Sequence, residues 1–187
     1  MSPVITEKKK HTYEDYLKTP ENERYELIEG ELYMTPSPVT KHQRISGRIE
    51  FALRKFVTEN NLGEVFDAPY DVYLDNENVV QPDIMFISKE RLHIIGEKNV
   101  QGAPDLVIEI ISENSAYRDM VQKKRLYTRF GVKEYWIVIP EEELIEIYIL
   151  KEDIYHLANT YRKEQTLESP NIKGLKVDVK ELFLQTR

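Results

Sequence analysis

The sequence predicts a mixed α/β (α+β) fold, with a mixed β-sheet core flanked by helices, a hairpin near the N-terminus and a β-meander near the C-terminus. Two segments, at residues 41–60 and 116–129, carry apolar side chains at helical spacing. Short apolar runs at residues 84–87, 105–111 and 134–139 are typical of buried strands. Because 187 residues suffice for one domain with a substantial core, and no internal repeat is visible, we expect a single domain over the whole chain, 1–187.

The N-terminal part is predicted to contain a short helix and a hairpin. Residues 1–11 are polar and are expected to be flexible. A short helix is predicted to follow Thr12, a typical N-cap with acids in the turn after it. A hairpin is predicted at residues 24–34, because two apolar runs flank a Glu-Gly pair that resembles the Asp-Gly turn signal. Its acids, Glu26 and Glu31, are most simply exposed to solvent, and the alternative is that they reach the site.

The first core helix, predicted at residues 41–60, ends at an Asn-Leu-Gly sequence of the usual C-terminal type. Its first turn contains His42. A histidine at such a position is more commonly an exposed or capping residue. It is a candidate site residue because a helix packed beside a metal site often presents its first turn to that site. The apolar positions of the helix are Ile45, Ile49, Ala52, Leu53, Phe56 and Val57.

Asp83 opens a predicted buried strand. The chain before it, residues 64–74, is predicted as two short strand pieces separated by an Ala-Pro pair, and residues 75–78 as a polar turn. The apolar residues 84–87 follow Asp83 directly. We therefore expect this carboxyl group at the mouth of a strand.

Glu109 interrupts the apolar run at residues 105–111. Because side chains alternate along a strand, Glu109 shares one face with Val107 and Ile111 and is expected to point into the core. A buried carboxylate costs several kcal/mol, or has a raised pKa, unless a metal, a lysine or hydrogen bonds compensate it. We therefore expect a compensating group near Glu109.

Asp83 and Glu109 together predict a metal site. Two carboxylates at the ends of neighbouring buried strands are suitable ligands for Mg²⁺, which takes oxygen ligands and usually only one or two carboxylates. Taken singly, each acid is more commonly structural, with Asp83 capping a turn and Glu109 paired with an internal Arg or Lys. Taken together, they favour bound Mg²⁺ or Mn²⁺.

The second core helix, at residues 116–129, carries Asp119, Lys123 and Tyr127 on one stripe. An ordinary surface ion pair is the commoner arrangement for Asp119 and Lys123. The alternative is that this helix carries an ammonium group back over the strand ends. Helical angle alone does not choose between Lys123, at the edge of the packed face, and Lys124, nearer its middle. The buried side is expected to be marked by Tyr117, Met120 and Val121.

The C-terminal part is predicted to add strands at the edge of the core. Residues 134–139 are predicted as another buried strand, followed by a β-meander at residues 144–150 and 154–157. From residue 161 the chain is polar and irregular before a short helix at residues 179–183.

The composition favours a soluble protein with an acidic balance. Charged residues make up 32% and hydrophobic residues 41%, and neither a bilayer-length apolar run nor a signal-peptide core is present. We therefore expect a cytoplasmic protein with no membrane partner and no organic cofactor. The chain has no cysteine, which excludes thiolate metal sites and disulfides. A net charge of -7 is unfavourable for binding nucleic acid, so any phosphate-binding surface must be local.

Six motifs occur along residues 12–150. They are residues 25–32, Pro36-Ser37-Pro38 with His42, Gln81-Pro82-Asp83, residues 102–110, Asp119 with Lys123 and Tyr127, and residues 131–136. Together, and in this order, they resemble a family of uncharacterised bacterial proteins known as putative restriction endonucleases. That family belongs to the PD-(D/E)xK nuclease superfamily.

The resemblance implies a restriction-endonuclease-like fold. It also implies an enzyme that hydrolyses phosphodiester bonds with the help of a divalent metal ion. Asp83 matches the first acid of the superfamily motif and Glu109 the second, and both would bind the metal. The motif's lysine belongs two residues after the second acid, where this chain has Ile111. In this family the lysine is thought to have moved to the next helix, which fits Lys123 and gives Asp119 an orienting role. The implied catalytic residues are Asp83, Glu109, Lys123 and His42, the last matching the polar residue that opens the first core helix.

Two classes of function remain open. The first is a metal-dependent endonuclease acting on DNA, and the second is a non-catalytic homodimeric interaction module, or a nucleic-acid-binding module, that keeps the nuclease fold. The acidic charge favours the second class, whereas the presence of both acids and a lysine favours the first. If the protein binds DNA, we expect a local phosphate-binding patch formed by Lys123, Lys124, Arg125 and Arg129.

Overall fold

The computed structural model describes residues 10–112 and 115–184. The helices are α1 (Tyr13–Tyr16), α2 (Thr40–Glu59), α3 (Lys124–Phe130) and α4 (Val179–Leu182), with a 3-10 helix at Lys89–Ile94 and a π-helix at Arg118–Lys123. The first strands are β1 (Arg24–Ile28), β2 (Glu31–Thr35), β3 (Gly63–Asp67), β4 (Asp71–Asp75), β5 (Asn78–Val80), β6 (Ile84–Ser88) and β7 (Asn99–Gln101). The later strands are β8 (Leu106–Ile110), β9 (Glu134–Ile139), β10 (Leu144–Lys151), β11 (Ile154–Arg162), β12 (Thr166–Glu168) and β13 (Lys176–Asp178).

The strands form two main sheets. A six-stranded sheet has the order β11-β10-β9-β8-β6-β3, and a five-stranded sheet has the order β2-β1-β5-β4-β7. At the centre of the larger sheet, β8 is parallel to β9 and antiparallel to β6. Strands β12 and β13 form a separate pair. The mixed α+β architecture predicted from the sequence is confirmed.

The two faces of β8 contribute to different cores. Leu106, Ile108 and Ile110 pack with the buried stripe of α2. Val107, on the other face, packs with side chains of the five-stranded sheet and with Leu126 at the beginning of α3. Both faces of this strand are therefore covered, as its continuous apolar sequence predicted. Glu109 shares the face of Val107 and lies between the two sheets.

The N-terminal helix and hairpin form where they were predicted. Thr12 and Asp15 form a capping box at the start of α1, with the Thr12 N–H donating to Asp15 Oδ2 at 3.0 Å. The turn between β1 and β2 consists of Glu29 and Gly30, both with positive φ. Such a turn follows the right-handed twist of a hairpin, and glycine adopts this conformation without steric cost.

The structure describes two residues of the range 1–11, and both form hydrogen bonds with the rest of the chain, while the flexibility of that range stays a prediction. The Lys10 ammonium donates to Glu77 at 2.6 Å, and the His11 N–H donates to the Gly30 carbonyl at 2.8 Å. Residues 1–9 lie outside the described residues.

Four short strands were not predicted. Strand β5 begins within the predicted polar turn, β7 lies between the strands predicted at residues 84–87 and 105–111, and β12 and β13 lie in the tail that was expected to be irregular. Each strand has only three residues, so none shows a periodic pattern in the sequence. Pairing with other strands defines them, because β5 joins β1 to β4, β7 pairs in parallel with β4, and β12 pairs with β13.

The predicted buried side of the second core helix is wrong. Tyr117 is 70% exposed, and Met120 and Val121 are also exposed. The buried residues of this segment are instead Asp119, Lys123, Leu126 and Tyr127. The polar stripe faces inward because Lys123 and Tyr127 bind the buried Glu109, and Asp119 contacts Lys123. Burying Glu109 without partners would cost more than exposing a few apolar side chains.

The C-terminal segments add the last strands of the larger sheet and a short helix that packs against it. Strands β10 and β11 confirm the predicted meander, although β11 extends to Arg162, further than expected. Helix α4 confirms the predicted short terminal helix. Among the described residues, no helix is both long enough and apolar enough to span a bilayer.

Candidate active site

One cavity, of about 190 Å³, lies beside the beginning of α2, the strands β6 and β8, and the π-helix. Its lining includes all four candidate residues named from the sequence, His42, Asp83, Glu109 and Lys123. The fold therefore brings together side chains that come from four different elements of the chain.

Asp83 is held at the mouth of the cavity. Its Oδ2 atom accepts a hydrogen bond from the Ile110 N–H at 2.8 Å, and it lies 3.1 Å from His42 Nε2. Because β6 pairs with β8, the residue that precedes β6 lies beside the end of β8. Asp83 therefore reaches the same edge of the sheet as Glu109, as the sequence predicted.

His42 reaches the cavity from the first turn of α2. The burial of Ile45 and Ile49 against the larger sheet fixes the rotation of this helix, so that His42 faces Asp83. The other ring nitrogen, Nδ1, is buried and has no hydrogen-bond partner within the described part of the chain.

Glu109 is almost completely buried and has two hydrogen-bond donors. Its Oε1 atom accepts from Lys123 Nζ at 2.9 Å and from the Tyr127 hydroxyl at 2.7 Å. The expectation of a compensating group near this carboxylate is therefore confirmed. A lysine and a tyrosine one helical turn apart supply it.

Of the two neighbouring lysines in the second core helix, Lys123 is buried and Lys124 is only partly buried. The Lys123 ammonium lies 2.7 Å from Glu26 Oε1 and 3.4 Å from Asp119 Oδ1, in addition to its bond with Glu109. The Lys124 ammonium instead lies 3.3 Å from the centroid of the Tyr148 ring. The angular estimate that placed Lys124 nearer the middle of the packed face was wrong.

The segment that carries Asp119 and Lys123 is the π-helix rather than a regular α-helix. Its wider turns change the angular positions of successive side chains, which is why angles estimated for an α-helix failed here. The Tyr135 hydroxyl donates to the Asp119 carbonyl at 2.9 Å and holds this segment against β9. Short π-helical segments occur frequently at functional sites.

Glu26 belongs to the cavity, and the prediction that it faces solvent was wrong. Its side chain is 2% exposed, and Oε1 accepts from both Lys123 and the Gln81 N–H, the latter at 2.9 Å. The signal that identified Glu109, an acid within a run of apolar residues, was also present around Glu26. Glu31, the other acid of the hairpin, is exposed as predicted.

Burial and mutual repulsion determine the protonation of the cluster. Burial raises the pKa of Glu109 well above its ordinary value; Lys123 opposes this shift, and Asp119 adds to it. Burial likewise raises the pKa of Asp119. Burial alone would lower the pKa of Lys123, but the surrounding carboxylates raise it well above its ordinary value. Lys123 is therefore an ammonium ion at neutral pH.

The charged residues that line the cavity leave an excess of negative charge. Five carboxyl groups face three cations, so the formal balance is two negative charges when every carboxyl group is ionised and the histidine is not counted. The carboxylates are Glu26, Asp67, Asp83, Glu109 and Asp119, and the cations are Arg24, Arg118 and Lys123. Such a surplus of hard oxygen donors is suited to a divalent cation.

The predicted basic patch does not form at the cavity. Lys123 is buried among carboxylates, and Lys124 and Arg125 line a different surface groove. Arg129 lies within 4 Å of carboxylate oxygens of Glu29 and Asp75. The cations that line the cavity besides Lys123 are Arg24 and Arg118, and neither was identified as a candidate from the sequence.

Comparison with known proteins identifies the family. No curated protein matches the chain in sequence. The structure of a putative nuclease belonging to DUF820 from Anabaena variabilis ATCC 29413 has a TM-score of 0.75 with this chain at 21% identity, covering 92% of this chain and 97% of that one. At that identity the similarity concerns the fold. The model of the family described as "Putative restriction endonuclease" matches residues 12–180. Because this match spans most of the chain and agrees with the six motifs, the protein belongs to the putative restriction endonuclease family.

Proposed function

We propose that this protein is a metal-dependent endonuclease that hydrolyses phosphodiester bonds in DNA. The observation that carries the proposal is the convergence of Asp83, Glu109 and Lys123 on one cavity. Two acids from adjacent strands with a neighbouring ammonium group are suited to hydrolysis of a phosphodiester, where negative charge builds up in the transition state. Membership of the family supports the same class of reaction.

Asp83 and Glu109 would hold the divalent cation, Mg²⁺ or Mn²⁺. Their oxygen donors and the negative balance of the cavity fit such an ion. Within residues 10–112 and 115–184, no group of three or more His, Asp or Glu side chains is arranged to bind a metal, so water and substrate oxygens would complete the ligands. The cation, when bound, supplies positive charge at the phosphate and lowers the pKa of a coordinated water.

Lys123 would act as a charge and a hydrogen-bond donor. A general base must be deprotonated before it accepts a proton, and the surrounding carboxylates keep this lysine protonated. Its contacts with Glu26, Glu109 and Asp119 hold the ammonium in one place. The attacking water would therefore lose its proton to another acceptor, while Lys123 stabilises the negative charge of the transition state.

His42 would orient Asp83. Its Nε2 atom contacts one carboxylate oxygen of Asp83, and the Ile110 N–H contacts the same oxygen, which leaves the second oxygen available for another ligand. Residues that orient ligands in this way commonly change metal affinity or activity about 10-fold to 100-fold when they are replaced.

A second candidate is a non-catalytic homodimeric module, or a nucleic-acid-binding module, that keeps the nuclease fold. One observation favours it, because Lys123 and Tyr127 already satisfy one oxygen of Glu109 without any metal. The cytoplasmic location and the single domain, both expected from the sequence, stay predictions.

Calorimetric titration with Mn²⁺, together with a cleavage assay on duplex, single-stranded and branched DNA, would separate these candidates. We expect Asp83→Asn and Glu109→Gln to weaken Mn²⁺ binding and to reduce cleavage by about 100-fold or more, since each removes a ligand charge. Glu134→Gln is the matched control, because Glu134 is a buried glutamate outside the cavity. If both cavity variants bind Mn²⁺ as tightly as the parent, the metal site is wrong.

A further inference from the structure

The cavity concentrates the unsatisfied polar atoms of the described residues. Three buried side-chain nitrogen or oxygen atoms there have no hydrogen-bond partner, namely Thr35 Oγ1, His42 Nδ1 and Arg118 Nε. All three side chains line the candidate cavity. Because native proteins leave few buried polar atoms unpaired, their occurrence in one place indicates that something else hydrogen-bonds there.

Arg118 is held in the cavity by charge and by an aromatic ring. Its Nε atom lies 3.7 Å from Glu26 Oε2, beyond hydrogen-bonding distance, and its guanidinium carbon lies 5.6 Å from the centroid of the Tyr33 ring. The side chain is only 12% exposed. Among the described residues it donates no hydrogen bond, so its guanidinium donors remain available to a ligand.

Two other arginines, Arg48 and Arg91, use their donors to bind the backbone. Arg48 donates to the carbonyls of Leu182 and Leu184, and Arg91 donates to the Ala103 carbonyl at 2.7 Å. Both residues fasten one segment of the chain to another. Arg118 fastens no segment in this way, although it is well covered. A purely structural role therefore explains Arg48 and Arg91 better than it explains Arg118.

Two of the three unsatisfied groups select an anion with several acceptor oxygens. A guanidinium can only donate hydrogen bonds, and a hydroxyl can donate one. The His42 ring directs Nε2 at the Asp83 carboxylate, so a neutral ring presents Nδ1 as an acceptor. A phosphate accepts from the guanidinium and the hydroxyl, and it matches the two-pronged geometry of arginine. Asp83 and Glu109 line the same cavity, which therefore has carboxylates for a cation as well as donors for an anion.

We propose that Arg118, with Thr35, forms a phosphate-binding subsite for the backbone of a nucleic acid strand that enters the cavity. The inference rests on the proposed function, because it takes the nuclease substrate as the ligand. It replaces the basic patch expected from the sequence with one largely covered arginine. An acidic protein thereby binds a phosphate locally without an extended positive surface.

Binding of a short fluorescein-labelled DNA strand, measured by fluorescence anisotropy in EDTA at several salt concentrations, tests the subsite without cleavage. We expect Arg118→Met to weaken binding at least about 10-fold and to reduce the salt dependence by about one phosphate contact. Arg118→Lys should restore part of the affinity, because a lysine keeps the charge but not the two-pronged geometry. Arg125→Met is the matched control, since Arg125 is exposed, is nearby in sequence and does not line the cavity.

Circular dichroism and a thermal melt would establish that each variant is folded. The inference is overturned if Arg118→Met binds like the parent, if Arg125→Met loses as much affinity, or if the parent does not bind the strand. Arg118-dependent binding without cleavage would support the subsite while the nuclease proposal fails. Metal-dependent cleavage by a parent whose binding does not depend on Arg118 would leave the nuclease proposal intact and remove the subsite.

Discussion

Two buried glutamates on neighbouring strands of the larger sheet are stabilised in opposite ways. Glu109, on β8, faces a cavity and lies among ionised groups. Glu134, at the start of β9, is fully buried and accepts hydrogen bonds from neutral donors. These donors are the Trp136 indole at 2.6 Å, the Ser169 hydroxyl at 2.9 Å and 3.0 Å, and the Asn171 N–H at 3.0 Å.

The difference shows that burial of an acid does not by itself indicate a functional site. Burial raises the pKa of Glu134, but its hydrogen bonds oppose that shift and attach the segment around Ser169 to the sheet. Glu109 lies close to other carboxylates that raise its pKa further, and one ammonium is shared among them. Glu134 therefore stabilises the fold through its hydrogen bonds. Around Glu109 the neighbouring carboxylates repel one another, and a bound cation would reduce that repulsion.

The largest expected effect on stability is that of removing the shared ammonium. Lys123→Ala leaves the buried Glu26, Glu109 and Asp119 without their common counter-charge, and should lower the free energy of unfolding by about 3–5 kcal/mol. Urea unfolding at neutral pH measures the loss.

Lys124→Ala is the control for that variant. The Lys124 ammonium lies over the Tyr148 ring, so removing it should lower the free energy of unfolding by at most about 1 kcal/mol. Equal losses for the two lysine variants would mean that the carboxylate cluster does not depend on Lys123.

A smaller effect is expected for Glu134→Gln. The amide group would bring N–H donors toward the Trp136 and Ser169 donors, leaving one of them unpaired, and this should lower the free energy of unfolding by about 1–3 kcal/mol. Urea unfolding and Mn²⁺ titration of the same preparation provide the check. A loss of Mn²⁺ binding by the folded variant would contradict the separation of the two glutamates into structural and functional roles.

The smallest effect, and one that depends on pH, is expected for Glu109→Gln. Because the pKa of Glu109 is raised in the folded protein, the folded state binds this proton more tightly than the unfolded chain does. The contribution of this group to stability is therefore complete below its ordinary pKa, and is lost as the pH rises through the raised pKa. Glu109→Gln removes that loss, so its stability relative to the parent should improve as the pH is raised from about 5 to about 8.

Unfolding of the parent and the Glu109→Gln variant at both pH values, in EDTA, measures this difference. Addition of Mn²⁺ should stabilise the parent more than the variant, because the variant lacks one of the two proposed carboxylate ligands. If the two proteins change equally with pH, Glu109 does not titrate in this range.

The sequence by itself determined the elements whose patterns are long or continuous. The stripe of α2, the apolar runs of β6, β8 and β9, and the alternation in β10 are local signals, and the structure has these elements close to their predicted bounds. The same signals placed Asp83 and Glu109 at strand positions that meet in one cavity. A carboxylate inside an apolar strand needs a partner whatever the rest of the fold is, so the existence of a compensating group near Glu109 was also predictable.

Only the tertiary structure decided which groups compensate one another. The inward rotation of Lys123, the burial of Glu26 in the hairpin, and the approach of Arg118 depend on side chains that are distant in sequence and adjacent in space. In the π-helix, the polar residues Asp119 and Lys123 are buried and the apolar residues Met120 and Val121 are exposed, which reverses the usual pattern. The reason is energetic, since a buried carboxylate without a counter-charge costs more than the exposure of a few apolar side chains.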